Sequence, residues 1–225
     1  MHDMMVNYLL SIRGTLAPSA LDAARSIHNE TAGAPANVEV ARSLGDLSHM
    51  VYVPLDHHND AAGEFLILDI WNNIEGLNQF FANPHVQEQG GRIFSQRDPV
   101  VWMPAEGFVS YQLPAPFGKN DRTVGLVRGM LPSIEIGREF HNRIITKFAN
   151  KARRRGHLSH NAYLRLTPPD APPSLEFFAV DTWMDAAGMG EHYQDPEFLS
   201  AFDGMFTAEA TADVWTHPNG MWVEW

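Results

Sequence analysis

Apolar and polar residues alternate along two stretches of the chain, and a two-residue period is typical of β-strands. One side of the first stretch carries Leu47, His49, Val51 and Val53, and one side of the second carries Leu158, His160, Ala162 and Leu164. A period near 3.6 residues instead predicts a helix from Ile134 to about Lys151, with His141 on its apolar face. Three histidines therefore fall on apolar sides of predicted elements, and His28 takes the place of His141 in the first half.

The same patterns predict an ordered series of strands and helices. In the first half we expect strands over 6–13, 45–55 and 64–71 and around Trp102, a helix opened by Ser19 that runs to about Glu30, and a helix over 74–81 that resumes after Pro84. In the second half we expect strands over 124–130, 157–166 and 176–183 and around Trp215, the helix from Ile134, and a helix over 186–193 that resumes after Pro196. Each half reads βαββαβ, the ferredoxin-like order.

The two halves also share residues in register. Gly45, Leu47, Ser48, His49 and Tyr52 recur as Gly156, Leu158, Ser159, His160 and Tyr163. His28-Asn29, Asp69 and Trp71 recur as His141-Asn142, Asp181 and Trp183. The sequence therefore predicts a tandem duplication: a first half over residues 1–113, a proline-bearing linker over 114–121 and a second half over 122–225.

We expect an α+β fold in which the two ferredoxin-like units pack sheet to sheet as an intrachain barrel. A four-stranded sheet with helices on one face leaves its other face apolar, and two such faces bury each other.

The composition limits which binding partners and which kinds of site are expected. The net charge is −11, which disfavours nucleic acid and anionic membranes as partners, because both attract basic patches. The chain has no cysteine, so a disulfide framework, a thiolate metal site and a cysteine nucleophile are excluded. No long apolar run or secretion signal is recognisable near Met1, and we expect a cytoplasmic protein. No phosphate-binding glycine loop, nucleophile elbow or dinucleotide fingerprint is present.

The doubled βαββαβ order, together with Leu68–Leu77 and Phe80–Pro84, resembles the dimeric α/β barrel superfamily, which includes antibiotic-biosynthesis monooxygenase-like, EthD-like and stress-responsive proteins. The resemblance covers most of both halves. It implies a cavity between sheet and helices, used for cofactor-free oxygenation of quinols and polyketide aromatics, for polyketide cyclisation, or for haem chemistry in relatives. The family usually assembles from separate identical chains, whereas this chain resembles a fused pair.

The candidate acid–base groups are four histidines, His28 and His49 with their second copies His141 and His160. A neutral imidazole that faces a cavity can accept a phenolic or carbon-acid proton, and a second group can hold its tautomer. We predict that substrate contacts come from Asn29, Asn142, Asp69, Asp181, Trp71 and Trp183. The alternative is that each histidine is structural and hydrogen-bonded to backbone, to Asn29 or to Asn142.

Metal and haem sites have less support. Two histidines and Asp69 match the residue types of a non-haem iron triad, but they lie on different elements, and Asp69 could face away from His49. Haem ligation by His49, His160 or His192 has no specific motif behind it. A metal site in the polar turn that holds His57, His58 and Asp60 is disfavoured.

The sequence therefore favours a cofactor-free monooxygenase- or cyclase-like enzyme that acts on a small aromatic or polyketide-like molecule. A non-catalytic ligand-binding or stress-responsive barrel is the alternative, and a haem-binding barrel is the second alternative. No metal or cofactor is expected. Further pairing of the fused unit into a homodimer is left open.

Overall fold

The computed structural model describes residues 6–56, 63–113 and 122–225 of the chain. The predicted linker over 114–121 and the turn with His57, His58 and Asp60 lie outside the described residues. The described chain is mixed α+β with antiparallel sheets, as the sequence predicts. It forms two compact units. The first unit comprises the residues up to Met103 together with Pro218–Trp225, and the second comprises Pro104–His217.

The first unit is a four-stranded sheet covered by helices. Its elements in chain order are β1 (Tyr8–Leu16), α1 (Leu21–Glu30), α2 (Pro35–Ser43), β2 (Asp46–Pro54), β3 (Glu64–Trp71), α3 (Ile74–Ala82), α4 (Pro84–Ile93) and β4 (Phe94–Pro104). The strand order is β4-β1-β3-β2. The helix-side core contains Leu10, Ile12, Val51, Phe65 and Trp71.

The second unit repeats this arrangement and adds a short strand. Its elements are β5 (Tyr111–Gln112), β6 (Thr123–Met130), α5 (Ile134–Arg154), β7 (His157–Arg165), β8 (Glu176–Trp183), α6 (Ala186–Tyr193), α7 (Pro196–Ser200) and β9 (Thr211–Thr216). The order is β9-β6-β8-β7-β5. Both units therefore have the 4-1-3-2 strand order of a ferredoxin-like fold, with β5 added in the second.

Helix boundaries follow local capping chemistry. Asn83 and Asp195 accept hydrogen bonds from the backbone N–H two residues later, and the proline that follows each of them begins the next helix. Ser133 caps α5 by accepting from the N–H of Ile136, three residues later. The expectation that Ser19 caps α1 is wrong: the residue before α1 is Ala20, and no side chain caps it.

One helix was absent from the sequence prediction. The first unit divides its first helical region into α1 and α2, whereas the second unit has one 21-residue helix, α5. Between its histidine and the glycine that precedes β2, the first unit has two more residues than the second, and Pro35 begins α2. Gly45 and Gly156 have φ of 109° and 94°, which favours glycine at the start of β2 and β7.

Within the described residues, the helices are all too short or too polar to cross a bilayer.

Candidate functional site

Three elements bring the candidate residues of the first unit together. His28 lies near the end of α1, His49 on β2 and Asp69 on β3. His49 and Asp69 are directly opposite in the β2–β3 register, so their side chains share one face of the sheet. The concern that Asp69 could face away from His49 is therefore wrong. All three residues are at most 5% exposed.

The three side chains form a hydrogen-bonded chain that begins at Asn29. His28 Nδ1 lies 3.1 Å from Asn29 Oδ1, and His28 Nε2 lies 2.9 Å from His49 Nε2. His49 Nδ1 lies 2.7 Å from Asp69 Oδ1. Each ring nitrogen of the two histidines is therefore engaged, which leaves no lone pair on His49 for a metal or haem iron.

The segment 218–225 fixes the direction of this chain. Asn29 Nδ2 donates to the Met221 carbonyl at 2.8 Å, and Asn29 Oδ1 accepts from the Val223 N–H at 2.9 Å. Because Asn29 Oδ1 is an acceptor, His28 must donate through Nδ1 and accept through Nε2. His49 must then donate through Nε2.

This assignment places one shared proton between His49 and Asp69. With a proton on His49 Nε2, the 2.7 Å contact between His49 Nδ1 and Asp69 needs a second proton, carried by one of the two groups. Burial lowers the pKa of His49 to about 4 and raises that of Asp69 well above its usual range. The proton therefore resides on the Asp69 carboxyl and can move to His49.

A second carboxyl lies beside this pair. Asp46 is 4% exposed and is the cross-strand partner of Trp71. Burial, together with the charge of Asp69, raises the pKa of Asp46 to about 8. The indole of Trp225 and the backbone of Ser48 offset part of this rise in the pKa of Asp46. Within the described residues, neither Asp46 Oδ1 nor Trp225 Nε1 has a partner at hydrogen-bond distance.

The second unit contains the same chain. His141 Nδ1 lies 3.0 Å from Asn142 Oδ1, His141 Nε2 lies 2.7 Å from His160 Nε2, and His160 Nδ1 lies 2.6 Å from Asp181 Oδ1. Asn142 binds the Gly107 carbonyl and the Val109 N–H as Asn29 binds residues 221 and 223. Burial, together with His160, lowers the pKa of His141 to about 4.

The carboxyl group of the second unit has more donors than Asp69. Tyr193 donates its hydroxyl to Asp181 Oδ2 at 2.7 Å, and His157 Nε2 lies 3.1 Å from Asp181 Oδ1. Although burial opposes ionisation, His160 and His157 hold the pKa of Asp181 well below its usual range. Asp181 is therefore a carboxylate.

Two substitutions between the copies account for this difference. At the 112-residue offset that relates Asp69 to Asp181, Tyr193 corresponds to Phe81, which cannot donate. His157 corresponds to Asp46, because His157 lies opposite Trp183 in the β7–β8 pair and Asp46 lies opposite Trp71 in the β2–β3 pair. An acid therefore stands in the first unit where the second has a hydrogen-bond donor.

The first unit has a cavity of about 300 Å³ beside its pair. Its polar lining residues are Asp46, His49 and Asp69 together with Asn37, Gln87, Gln89 and Arg97. The rest is mostly apolar and includes Leu10, Ile67, Trp71, Leu77, Phe80, Phe81, Val86, Ile93 and Trp225. His28 is not part of the wall. Gln87 and Pro99 line the cavity and are exposed, so it reaches the surface.

The corresponding space in the second unit is nearly filled, with a cavity of about 30 Å³ beside His160 and Asp181. Val86 and Gly90 of the first unit correspond to Phe198 and Phe202. Leu10 corresponds to Gly125, where a Cβ would lie 2.5 Å from the Tyr193 hydroxyl. Glycine at this position makes room for Tyr193 next to Asp181.

The structure brings some of the residues singled out from the sequence together and separates the roles of others. Within each unit it joins the histidine pair, the asparagine and the aspartate in one hydrogen-bonded chain. Trp71 lines the cavity of the first unit, whereas Trp183 stacks on His157 with ring centroids 4.4 Å apart. Within the described residues, no group of three or more His, Asp and Glu side chains has the geometry of a metal site.

Sequence reasoning missed Asp46, His157, Tyr193 and Trp225. Asp46 and His157 follow the repeated glycine, and their difference within a repeated motif was a signal available in the sequence. Trp225 gave no such signal. Its ring stacks on His49 with centroids 4.5 Å apart, and its backbone exchanges hydrogen bonds with that of His49.

His192 of the second unit provides a test of the electrostatics. It is buried against Phe198, and its Nδ1 has no partner within the described residues. Burial lowers its pKa to about 4, so the folded protein binds fewer protons than the unfolded chain between about pH 4 and pH 6.5 and loses stability as the pH falls through this range. Phe80 stands at the corresponding position of the first unit.

We expect His192→Phe to raise the free energy of unfolding by about 1 kcal/mol, and by more at pH 5 than at pH 7.5. Urea denaturation at pH 5 and pH 7.5 measures the gain in the free energy of unfolding and its dependence on pH. A gain that does not depend on pH would contradict the assignment of a buried neutral imidazole.

No protein-family model matches the sequence, and no curated protein matches it. Solved structures do match. A candidate monooxygenase from Fusobacterium nucleatum has a TM-score of 0.63 at 11% identity, over 95% of this chain and 93% of its own. An anthrone oxidase-like protein has a TM-score of 0.64 at 15% identity, over 96% of this chain and 93% of its own.

A candidate monooxygenase from Lactobacillus acidophilus has a TM-score of 0.58 at 12% identity, over 94% of this chain and 93% of its own. At such low identities the likeness establishes the fold and leaves the activity open. The resemblance predicted from the doubled βαββαβ order is confirmed at this level. The chain thus shares its fold with solved structures that are named as monooxygenases and as anthrone oxidase-like.

Proposed function

We propose that the first unit binds a small aromatic molecule and exchanges a proton with it through His49 and Asp69, in a cofactor-free oxygenation or cyclisation. The observation that carries this proposal is the cavity of about 300 Å³, which ends on the hydrogen-bonded pair. Fold neighbours named as monooxygenases and as anthrone oxidase-like support the reaction class.

The wall of the cavity favours a flat apolar ligand. Its volume is at the lower end of the range of ligand pockets, about 300–1,000 Å³, which suits a molecule of two or three fused rings. Phe80, Phe81 and Trp225 offer ring faces and edges for such a ligand. Polar side chains also line it, namely Asp46, His49 and Asp69 together with Asn37, Gln87, Gln89 and Arg97, so a ligand with a polar edge is compatible with the site.

The buried pair supplies a reversible proton site. A phenol or an anthrone-like carbon acid that loses a proton becomes an electron-rich anion, and the His49–Asp69 pair can take up or return that proton without exposure to water. In an oxygenation the anion reacts with dioxygen, one oxygen atom enters the product and the other leaves as water. In a cyclisation the anion attacks a carbonyl group of the same molecule.

We assign the second unit a structural role in this proposal. Its cavity of about 30 Å³ holds little more than a water molecule, and Asp181 is satisfied by Tyr193, His157 and His160. The proposed catalytic roles of His141 and His160 are therefore replaced by a role in stability. Of the two copies, the first retains the space that a substrate needs.

Non-catalytic ligand binding is the second candidate function. It is favoured by the engagement of every ring nitrogen of His28 and His49 in the hydrogen-bonded chain. Both candidate functions require the cavity. Only the enzyme would convert the bound molecule into a product.

The cavity can be tested by copying the second unit into the first. We expect Val86→Phe to weaken binding of an aromatic probe such as 1-naphthol at least tenfold, because the added ring fills space that Phe198 fills in the second unit. Quenching of tryptophan fluorescence measures binding, since Trp71 and Trp225 line the cavity.

The matched control is Phe198→Val, which is expected to leave the affinity for 1-naphthol within about twofold of that of the wild type. Unchanged affinity in Val86→Phe, or an equal loss in Phe198→Val, would show that the probe binds elsewhere and would remove the basis of the proposal.

A further inference from the structure

An arginine that takes no part in the histidine chain lines the cavity of the first unit near the surface. Arg97 lies near the start of β4 and is half-buried. Its Nη2 donates to the Gln87 carbonyl at 3.4 Å and to Gln87 Oε1 at 2.5 Å. Within the described residues its Nε and Nη1 groups have no hydrogen-bond partner, and no carboxylate forms an ion pair with it. The guanidinium therefore offers donors and a positive charge to a ligand.

The strand register places Arg97 on the same face of the sheet as the histidine pair, but at a distance from it. On β1, Leu10 lies opposite Asp69 of β3. Gly14, four residues further along β1, lies opposite Arg97 of β4. Side chains four residues apart project from the same face of a strand, about 13 Å from each other. Arg97 and Asp69 therefore stand near opposite ends of the cavity.

Helix α4 holds the guanidinium in this place. Gly90 makes room for it, because a Cβ at position 90 would lie 1.8 Å from Arg97 Nη1. Gln87, on the preceding turn of α4, donates through Nε2 to the Phe81 carbonyl at 2.5 Å, and its Oε1 accepts from Arg97. Both α4 residues line the cavity, so they position Arg97 at its wall.

The second unit, whose cavity is nearly filled, has none of these three residues. The three and their counterparts, at offsets of 112 or 113 residues, are Gln87 and Leu199, Gly90 and Phe202, and Arg97 and Ala210. The larger offset is that of Trp102 and Trp215, which pair with the first strand of each unit. The guanidinium, its partner and the space for it thus occur together in the unit that has the large cavity.

A carboxylate on the ligand fits this end of the cavity. A guanidinium can bind a carboxylate through two parallel hydrogen bonds, and such charge-assisted bonds are about twice as strong as neutral ones. The other end disfavours an anion, because it holds the acids Asp46 and Asp69. A ligand with one acidic group should therefore bind with that group toward Arg97 and with its other end toward His49.

We propose that Arg97 binds a carboxylate of the substrate, so that the substrate is an aromatic acid whose rings span the cavity from Arg97 to the His49–Asp69 pair. This inference rests on the proposed function and names its substrate class. The separation of about 13 Å along the strands suits two or three fused rings with a substituent at each end. Arg97 determines specificity in this proposal, and Gln87 is a positioning residue.

The proposal is tested with two probes that differ in one carboxylate, 6-hydroxy-2-naphthoate and 2-naphthol. We expect the wild-type protein to bind the naphthoate about tenfold more tightly in isothermal titration calorimetry. Arg97→Met keeps the unbranched stem and removes the charge, so this preference should disappear, whereas the affinity for 2-naphthol should stay within about twofold of the wild-type value. The unchanged affinity for 2-naphthol also shows that the variant is folded and that its cavity is intact.

Arg92→Met is the matched control, because Arg92 is an exposed arginine of α4 that does not line the cavity. It changes the net charge by the same amount and should retain the preference for the naphthoate. Gly90→Ala is the complementary variant, since it leaves every charge in place and displaces the guanidinium. It should lower the preference at least threefold, and alanine is a better helix former than glycine, so α4 should remain folded.

The outcomes separate this inference from the proposed function. A preference for the naphthoate that is lost in Arg97→Met and retained in Arg92→Met supports the inference. Equal binding of both probes by the wild type, survival of the preference in Arg97→Met, or an equal loss in Arg92→Met overturns it, and binding of 2-naphthol then leaves the proposed function standing. If neither probe binds the wild type, the proposed function fails, and this inference fails with it.

Discussion

Asp69→Asn is expected to lower the turnover of anthrone by about 10²–10⁴-fold, the usual contribution of a general acid–base group, while the melting temperature stays within a few degrees of the wild-type value. The asparagine Nδ2 can donate to His49 Nδ1, so the hydrogen-bonded chain that begins at Asn29 is retained. The variant lacks the proton that moves between Asp69 and His49.

Oxygen uptake with anthrone as the probe substrate measures this effect, and circular dichroism with thermal unfolding checks the fold. Asp22→Asn is the matched control: Asp22 is an exposed aspartate on α1 of the same unit, paired with Arg25, and its replacement should leave turnover unchanged. If Asp69→Asn turns over anthrone as fast as the wild type, then His49 and Asp69 are not the acid–base pair. If the wild type binds aromatic probes in the cavity without turnover of anthrone or a quinol, non-catalytic binding is the better description.

Asp181→Asn should leave turnover unchanged and destabilise the protein, by about 1–3 kcal/mol for each buried donor that loses its acceptor. The Asp181 carboxylate accepts from His160, His157 and Tyr193. An asparagine has one carbonyl oxygen for these three donors and directs its own N–H groups toward some of them.

The pKa of Asp181 is lowered, so the folded state binds fewer protons than the unfolded state near pH 4. Its contribution to stability is therefore fully present at neutral pH and is lost as the pH falls below about 4. Urea denaturation at pH 7 should show a much lower midpoint for Asp181→Asn than for Asp69→Asn. Similar midpoints for the two variants would contradict the division between a functional first unit and a structural second unit.

The repeat made this comparison possible because it provides an internal reference for each residue. The two chains that run from asparagine through two histidines to aspartate have the same geometry and differ in the pKa of the carboxyl group, which is raised for Asp69 and lowered for Asp181. Burial is similar in both. The number of donors to the carboxyl group differs, because Tyr193 and His157 face Asp181 whereas Phe81 and Asp46 stand in their places beside Asp69.

The sequence by itself determined the architecture and the identity of the histidine pair. Two-residue and 3.6-residue periods located the strands and helices, because each element buries one side, and the repeated residues gave the offset between the two copies. The predicted spans of the third strands, Glu64–Trp71 and Glu176–Trp183, agree with β3 and β8.

Only the tertiary structure shows which distant segment of the chain packs against each site. The sequence assigned residues 104–113 to the first half and 218–225 to the second, whereas the compact units group 218–225 with the first site and Pro104 onward with the second. Residues 221–225 therefore fix the tautomer of His28 and stack on His49, although they are nearly 200 positions from His28 in the sequence. Periodicity cannot locate such contacts, because it records which side of an element is buried and not which distant segment covers it. The cavity was also beyond the sequence, since it depends on how much volume Val86, Gly90 and their counterparts Phe198 and Phe202 leave once the chain is packed.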